Sequence, residues 1–132
     1  VVKDERLQHL TENERAALED FVARLRQQYG DDVLRVVLFG SKARGDGDEE
    51  SDLDVLVVVR VPDGDYEQHW MRIVDMAWEA GFERDVVFSP LVEDEASYAQ
   101  MRQWNLLINR NIEQDGIELW TQLTSEPPLV PA

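Results

Sequence analysis

Between two apolar, β-branched runs lies the polar segment GSKARGDGDEESDLD, residues 40 to 54, and it constrains this chain more than any other feature. The run before it, Val33 to Phe39, reads as a buried strand interrupted only by Arg35, and it stops abruptly at Gly40-Ser41. The run after it, Leu53 to Val61, reads as a second strand with Asp52 and Asp54 at its start. Residues two apart on a strand share a face. Two carboxylates side by side at the rim of an apolar core repel each other unless a cation compensates them. Hard oxygen donors of this kind suit magnesium, which binds through few carboxylates plus substrate phosphates. Just upstream, Gly40 permits close approach of the backbone to a ligand. The Ser41 hydroxyl and the amides that follow can donate to phosphate oxygens. Lys42 and Arg44 add positive charge, and both are good phosphate partners. The alternative for the carboxylates is a solvated strand end, and the accompanying Gly-Ser pair argues against it.

The rest of the sequence supplies a domain to carry this segment. A capping box, Thr11 to Glu14, opens a helix over residues 12 to 29, with Leu18, Phe21, Val22, Leu25 and Tyr29 on one face and Gly30 at its end. Pro62 to Asp65 is a turn. Tyr66, Trp70, Ile73, Val74, Ala77 and Trp78 recur at helical spacing up to Gly81. Phe82 to Phe88 reads as a third strand closed by Ser89-Pro90, and Glu93 to Glu95 suit a helix N-terminus. Tyr98, Met101, Trp104, Leu107, Ile108 and Ile112 predict one last helix, and Ile117 to Trp120 a short apolar piece. The order is α-β-(turn)-β-α-β-α, an α/β or α+β domain with a small mixed sheet flanked by helices. The expected organisation is one domain over residues 1–124 and a loose tail over 125–132, where prolines stand at 127, 128 and 131.

Composition narrows the chemistry. With no cysteine among 132 residues there is no thiol nucleophile, Cys-based zinc site or disulfide framework, which fits a cytoplasmic protein. No apolar run is long enough to span a bilayer, and the first residues lack the pattern of a signal peptide. The formal charge of −15 repels a polyphosphate backbone and gives no counterion-release term, so a nucleic-acid substrate is a poor expectation. A nucleotide carrying its own magnesium is affected less, and a basic protein partner would be attracted. The charge also serves solubility alone.

Asp85 extends the constellation. On the third expected strand it stands just before the apolar Val86-Val87-Phe88, and if that strand neighbours the second, Asp85 joins Asp52 and Asp54. Three acids can hold two metal ions roughly 3.5–4 Å apart, a geometry suited to in-line phosphoryl transfer. Competing readings of the same residues fail. A P-loop needs Gly-Lys-[Ser/Thr] where this chain has Gly45-Asp46-Gly47. A calcium loop starting at Asp46 wants glycine and glutamate where Ser51 and Val57 stand. His9 and His69 lack a ligand pattern and read as ordinary surface or half-buried histidines, and the tryptophans as core or interface.

Gly40-Ser41-Lys42-Ala43-Arg44-Gly45, then Ser51-Asp52-Leu53-Asp54 on a strand, then a lone Asp85, resembles the DNA polymerase β-like nucleotidyltransferase superfamily. The minimal nucleotidyltransferase (MNT) branch is most similar, and the Asp115-Gly116-Ile117-Glu118-Leu119-Trp120 ending shares that likeness. The resemblance implies a nucleotidyltransferase fold and transfer of a nucleoside monophosphate, AMP from ATP, to an acceptor hydroxyl with release of pyrophosphate. It implies that Gly40, Ser41 and Ser51, with Lys42 and Arg44 as weaker matches, hold the nucleotide. It further implies that Asp52, Asp54 and Asp85 are catalytic and ligate two magnesium ions. Lys42 and Arg44 can alternatively pair with the surrounding acids. The partner implied is a HEPN-domain toxin, adenylylated on a tyrosine by this chain as its antitoxin, in a hetero-oligomer or beside a homo-oligomeric form. Two other functions stay open: a module that masks a toxin without catalysis, and a transferase for a small acceptor of the aminoglycoside type. The latter usually needs an extra helical domain.

Overall fold

The computed structural model describes residues 5–48, 51–104 and 106–122, so the expected tail over 125–132 lies outside the described residues. A helix α1 (Glu12–Tyr29) leads into strand β1 (Val33–Phe39), a short helix α2 (Gly40–Arg44) and strand β2 (Leu53–Val59). Helix α3 (Tyr66–Phe82), strand β3 (Phe88–Asp94), helices α4 (Glu95–Trp104) and α5 (Leu107–Asp115) and strand β4 (Ile117–Thr121) follow. The four strands form one mixed sheet in the order β3-β2-β1-β4. β1 runs antiparallel to β2 and β4, and β2 runs parallel to β3.

The central strands have near-continuous apolar sequences because both of their faces are covered. On one face Phe21 and Leu25 of α1 and Ile73, Ala77 and Ala80 of α3 pack against Val36, Leu38, Val55 and Val57. On the other, Tyr98, Met101 and Ile112 of α4 and α5 pack against Val37, Leu56 and Val58. The capping box of α1 forms as the sequence predicts: Glu14 N–H donates to Thr11 Oγ1, and Thr11 N–H to Glu14 Oε1. Among the described residues no helix is long and apolar enough to cross a membrane.

Arg35, the polar interruption of β1, ties the second layer together. Its guanidinium donates to both carboxylate oxygens of Glu118, to Glu113 and to the Tyr98 hydroxyl. Burial alone disfavours its charge, but Glu118, Tyr98 and Glu113 outweigh that and raise its pKa. The carboxylate partners are about half exposed, 49% and 42%, which discounts the pairing. Replacing Arg35 with Met is therefore expected to cost roughly 1–3 kcal/mol of stability, read as a lower denaturant midpoint with an unchanged m-value.

The third strand departs from the sequence expectation. α3 continues to Phe82, residues 83–85 form a turn, and β3 begins only at Phe88. The helix end is closed by Arg84 and Val86 amides donating to Gly81 O and by the Arg84 side chain donating to Ala80 O and Asp20. Asp85 completes the turn with φ 59°. The run over residues 82–88 is not a core strand, because Phe82 and Val87 are exposed. Pro90, which marked the expected strand end, lies within β3 instead, and an edge strand tolerates its missing N–H. Glu93 and Asp94 finish β3, and α4 opens at once at Glu95 with Asp94 accepting from Ser97 N–H, so these acids do mark a helix N-terminus. The single last helix is two, α4 and α5, with Trp104, Leu107 and Ile108 exposed around the break.

Candidate active site

β1 delivers the chain to Gly40, which takes φ 79°, a region that favours glycine. A Cβ at this position would collide with Asp54 Oδ2 and lie 3.2 Å from its Cγ. The start of α2 is thus pressed directly against the carboxylate of Asp54, and the pairing of Phe39 with Asp54 across β1 and β2 fixes that contact. Ser41 follows in α2, and Gly47 folds back over it: a Cβ on Gly47 would approach Ser41 Oγ to 2.8 Å. Ser51 closes this loop by accepting from Asp48 N–H and donating to Asp48 Oδ1, each at 3.1 Å.

Asp54 is half-buried and Asp52, one strand repeat earlier, is exposed. Burial raises the Asp54 pKa, and the negative charge of Asp52 raises it further. A hydrogen bond from the Ser89 hydroxyl and the nearby Arg44 charge act in the opposite direction without cancelling the rise. The two carboxylates therefore feel each other, as their spacing predicts. Arg44 is exposed and pairs with Asp46 at 3.2 Å and Asp115 at 3.9 Å, contacts that a phosphate can displace.

A cleft of about 710 Å³ opens beside Asp52, lined also by His9, Thr11, Lys42, Ser51, Arg84 and Asp85. Asp85 thus faces the same cleft as Asp52, but from a turn and not from the neighbouring strand. Among the described residues no three histidine or acidic side chains stand close enough together to hold a metal ion. The expected three-carboxylate cluster is therefore not gathered in this structure. The physical reason is register: the residue in line with Asp54 on β3 is Ser89. The donor set that remains, two mutually repelling carboxylates of which Asp52 borders the cleft, still fits magnesium, which completes its shell with water and phosphate oxygens.

Lys42 lines the cleft and makes the alternative contact open to it, an ion pair with a nearby acid. It is buried, and its ammonium lies 2.6 Å from Glu14 Oε2, with side chains only 8% and 12% exposed. Burial works to raise the Glu14 pKa, but hydrogen bonds from Lys42 and Thr11 and the Lys42 charge bring it below its ordinary value of 4.5. A lowered carboxylate pKa contributes stability above the unfolded value that is lost as pH falls through the folded one. Lys42→Met should therefore destabilise the fold, most at neutral pH, and flatten the fall in stability below about pH 4.5. Melting curves from pH 3 to 7 would check this, and a variant that matched the wild type throughout would refute it.

Sequence reasoning missed three residues here. His9 binds the Lys42 carbonyl through Nε2 at 2.6 Å and lines the cleft. In the sequence Gly47 reads as a loop residue and Ser89 as the end of a strand. Only strand pairing shows that Ser89 lies beside Asp54, and only loop closure shows that Gly47 lies on Ser41.

Residues 18–118 match the model of the nucleotidyltransferase domain family. A protein of Methanocaldococcus jannaschii named "Putative protein adenylyltransferase MJ0604" is 34% identical over 108 residues, covering 82% of this chain and 99% of that protein. Its namesake MJ0141 from the same organism is 42% identical over 62 residues, 47% of this chain and 61% of that protein. Among solved structures, a toxin–antitoxin complex with AMP-PNP shares the fold, with a TM-score of 0.51, 18% identity, and coverage of 79% of this chain and 73% of the other. The Gly40-Ser41 cradle pressed on Asp54, the mixed sheet that sets it there and the match over most of the chain agree: this chain belongs to the nucleotidyltransferase domain family.

Proposed function

We propose that this chain transfers AMP from ATP to a hydroxyl of a protein acceptor, with magnesium-dependent release of pyrophosphate. The observation that carries the reading is the direct packing of Gly40, which precedes Ser41, against the Asp54 carboxylate, with Asp52 close enough to act on Asp54. Phosphate donors and metal ligands stand together there, as a magnesium–triphosphate requires.

In this mechanism the amides after Gly40, the Ser41 hydroxyl and Arg44 hold the triphosphate, while Ser51 keeps the loop closed over it. Asp52 and Asp54 hold magnesium, which supplies charge neutralisation to the phosphates when bound. Asp85, which lines the same cleft as Asp52, takes the proton of the incoming hydroxyl. The acceptor oxygen forms a bond to the α-phosphorus as the bond to pyrophosphate breaks. The residues do this mainly by alignment and electrostatics. Lys42 contributes by holding α1 to α2, not by touching phosphate.

The acceptor proposed is a tyrosine of a HEPN-type toxin that this chain neutralises in the cytoplasm. The names of the relatives support a protein acceptor, and the toxin–antitoxin fold neighbour supports the kind of partner. A net charge of −15 suits docking to a basic RNA-cleaving protein. Incubation with ATP, magnesium and the product of the adjacent gene, followed by peptide mass spectrometry, tests the acceptor. The expected product is that protein carrying one AMP on a tyrosine. An unmodified partner whose toxicity is still blocked equally well by Asp52→Asn would show masking instead.

A further inference from the structure

Helix α3 carries more apolar surface than the sheet covers. Ile73, Ala77 and Ala80 are buried, yet Met71, Trp78 and Phe82 are exposed by 56%, 64% and 66%. Single exposed apolar residues are ordinary. These three stand seven and four residues apart, so they follow one face of the helix. The Trp78 and Phe82 rings lie against each other, with centroids 5.5 Å apart. Acids share that face. Asp75 stands four residues after Met71 and three before Trp78, Glu67 stands four before Met71, and both are exposed. Arg72 stands to one side, in a groove shared with Arg24 and Gln28 of α1. Past the helix Glu83 and Asp85 are exposed, whereas the Arg84 side chain turns back to Asp20 and Ala80 O. The result is an apolar ridge with acids along its length.

The ridge runs to the edge of the cleft. Asp85 N–H donates to Phe82 O at 3.4 Å, and Asp85, Val86 and Val87 line the cleft. Val87 is itself exposed, so apolar surface continues from the helix to the cleft wall.

We propose that the Met71–Trp78–Phe82 ridge is the docking surface for the protein acceptor, which meets it with an apolar groove rimmed by arginines. The inference rests on the reading of this chain as a protein-modifying transferase, and it says where the acceptor sits. Arginine suits this face because a guanidinium can stack on the Trp78 ring while pairing with Asp75. A second copy suits it poorly. Each chain carries a charge of −15, and a symmetric pairing of the ridge would set acid against acid. A partner seated on Trp78 and Phe82 lies one turn of chain from Asp85, so docking there presents its hydroxyl to the cleft.

The test is biolayer interferometry between the full chain and the purified product of the adjacent gene, without nucleotide. Trp78→Ser should weaken binding roughly ten-fold or more. Asp75→Lys, which removes no core packing, should slow association and reduce its salt dependence. Both variants should keep wild-type affinity for AMP-PNP by calorimetry. Trp104→Ser, exposed on α4 against the opposite face of the sheet, should bind the partner as the wild type does. Wild-type binding in Trp78→Ser, wild-type association in Asp75→Lys, or an equal loss in Trp104→Ser would overturn the docking surface and leave nucleotidyl transfer standing. So would a dimer of the chain alone, seen by sedimentation, that Trp78→Ser dissolves. A wild type that does not bind this protein would overturn the acceptor reading together with the docking surface.

Discussion

Gly40→Ala is expected to fold and to lose nucleotidyl transfer by roughly a hundred-fold or more, an effect out of proportion to one methyl group. Two costs combine. The backbone at φ 79° is unfavourable for any residue with a Cβ, by about 1–3 kcal/mol. The added methyl would also occupy the space of Asp54 Oδ2. Asp54 is too short to retreat along a flexible stem, so its carboxylate must rotate or α2 must lift away. Either movement separates the phosphate cradle from the metal ligand. The expected result is a modest drop in melting temperature together with loss of AMP-PNP binding. A variant with wild-type binding and transfer would show that the contact between Gly40 and Asp54 is incidental.

Asp54→Asn is expected to abolish transfer, by roughly 10²–10³-fold, and at the same time to raise the melting temperature in metal-free buffer at neutral pH. Burial, then the Asp52 charge, raise the Asp54 pKa in the folded chain. A raised carboxylate pKa contributes stability that is complete below the unfolded value and is lost as pH rises through the folded one. At pH 7 the ionised pair therefore strains the fold, and a neutral amide relieves it. Magnesium with nucleotide should reverse the order by stabilising the wild type more than the variant. Thermal melts with and without magnesium and AMP-PNP, beside transfer assays, check both halves. A variant less stable than the wild type without metal would mean that Asp54 is held chiefly by its hydrogen bonds.

How much of this was legible beforehand depends on which interactions are local. Helix α1 was readable to the residue because its capping box and its Gly30 terminus are sequence-local. β1 and the start of β2 were readable because their apolar, β-branched runs are continuous, and the Asp52–Asp54 pair because two-residue spacing on a strand needs no partner strand. β3 was displaced by six residues because Phe82 and Val87 are apolar yet exposed, and a short apolar run does not disclose which side of a turn it lies on. That error carried Asp85 onto a strand where the folded chain has a turn. The ion pair of Lys42 with Glu14 spans 28 residues, and the Asp54–Ser89 pairing spans 35, so neither had a local signature. The unexpected exposure of Trp78 has the same origin: helical spacing marks a stripe but not the width of the surface that covers it.

The central claim is that the Gly40-Ser41 cradle and the Asp52–Asp54 pair carry out nucleotidyl transfer. It is tested most directly with two ATP samples, one labelled at the α-phosphate and one at the γ-phosphate, each incubated with the chain, magnesium and its acceptor protein. The account predicts that α-label becomes covalently attached to the acceptor, that γ-label leaves entirely as pyrophosphate, and that Asp52→Asn and Asp54→Asn attach neither. Attachment of γ-label, or α-label transfer undiminished in both variants, would contradict it.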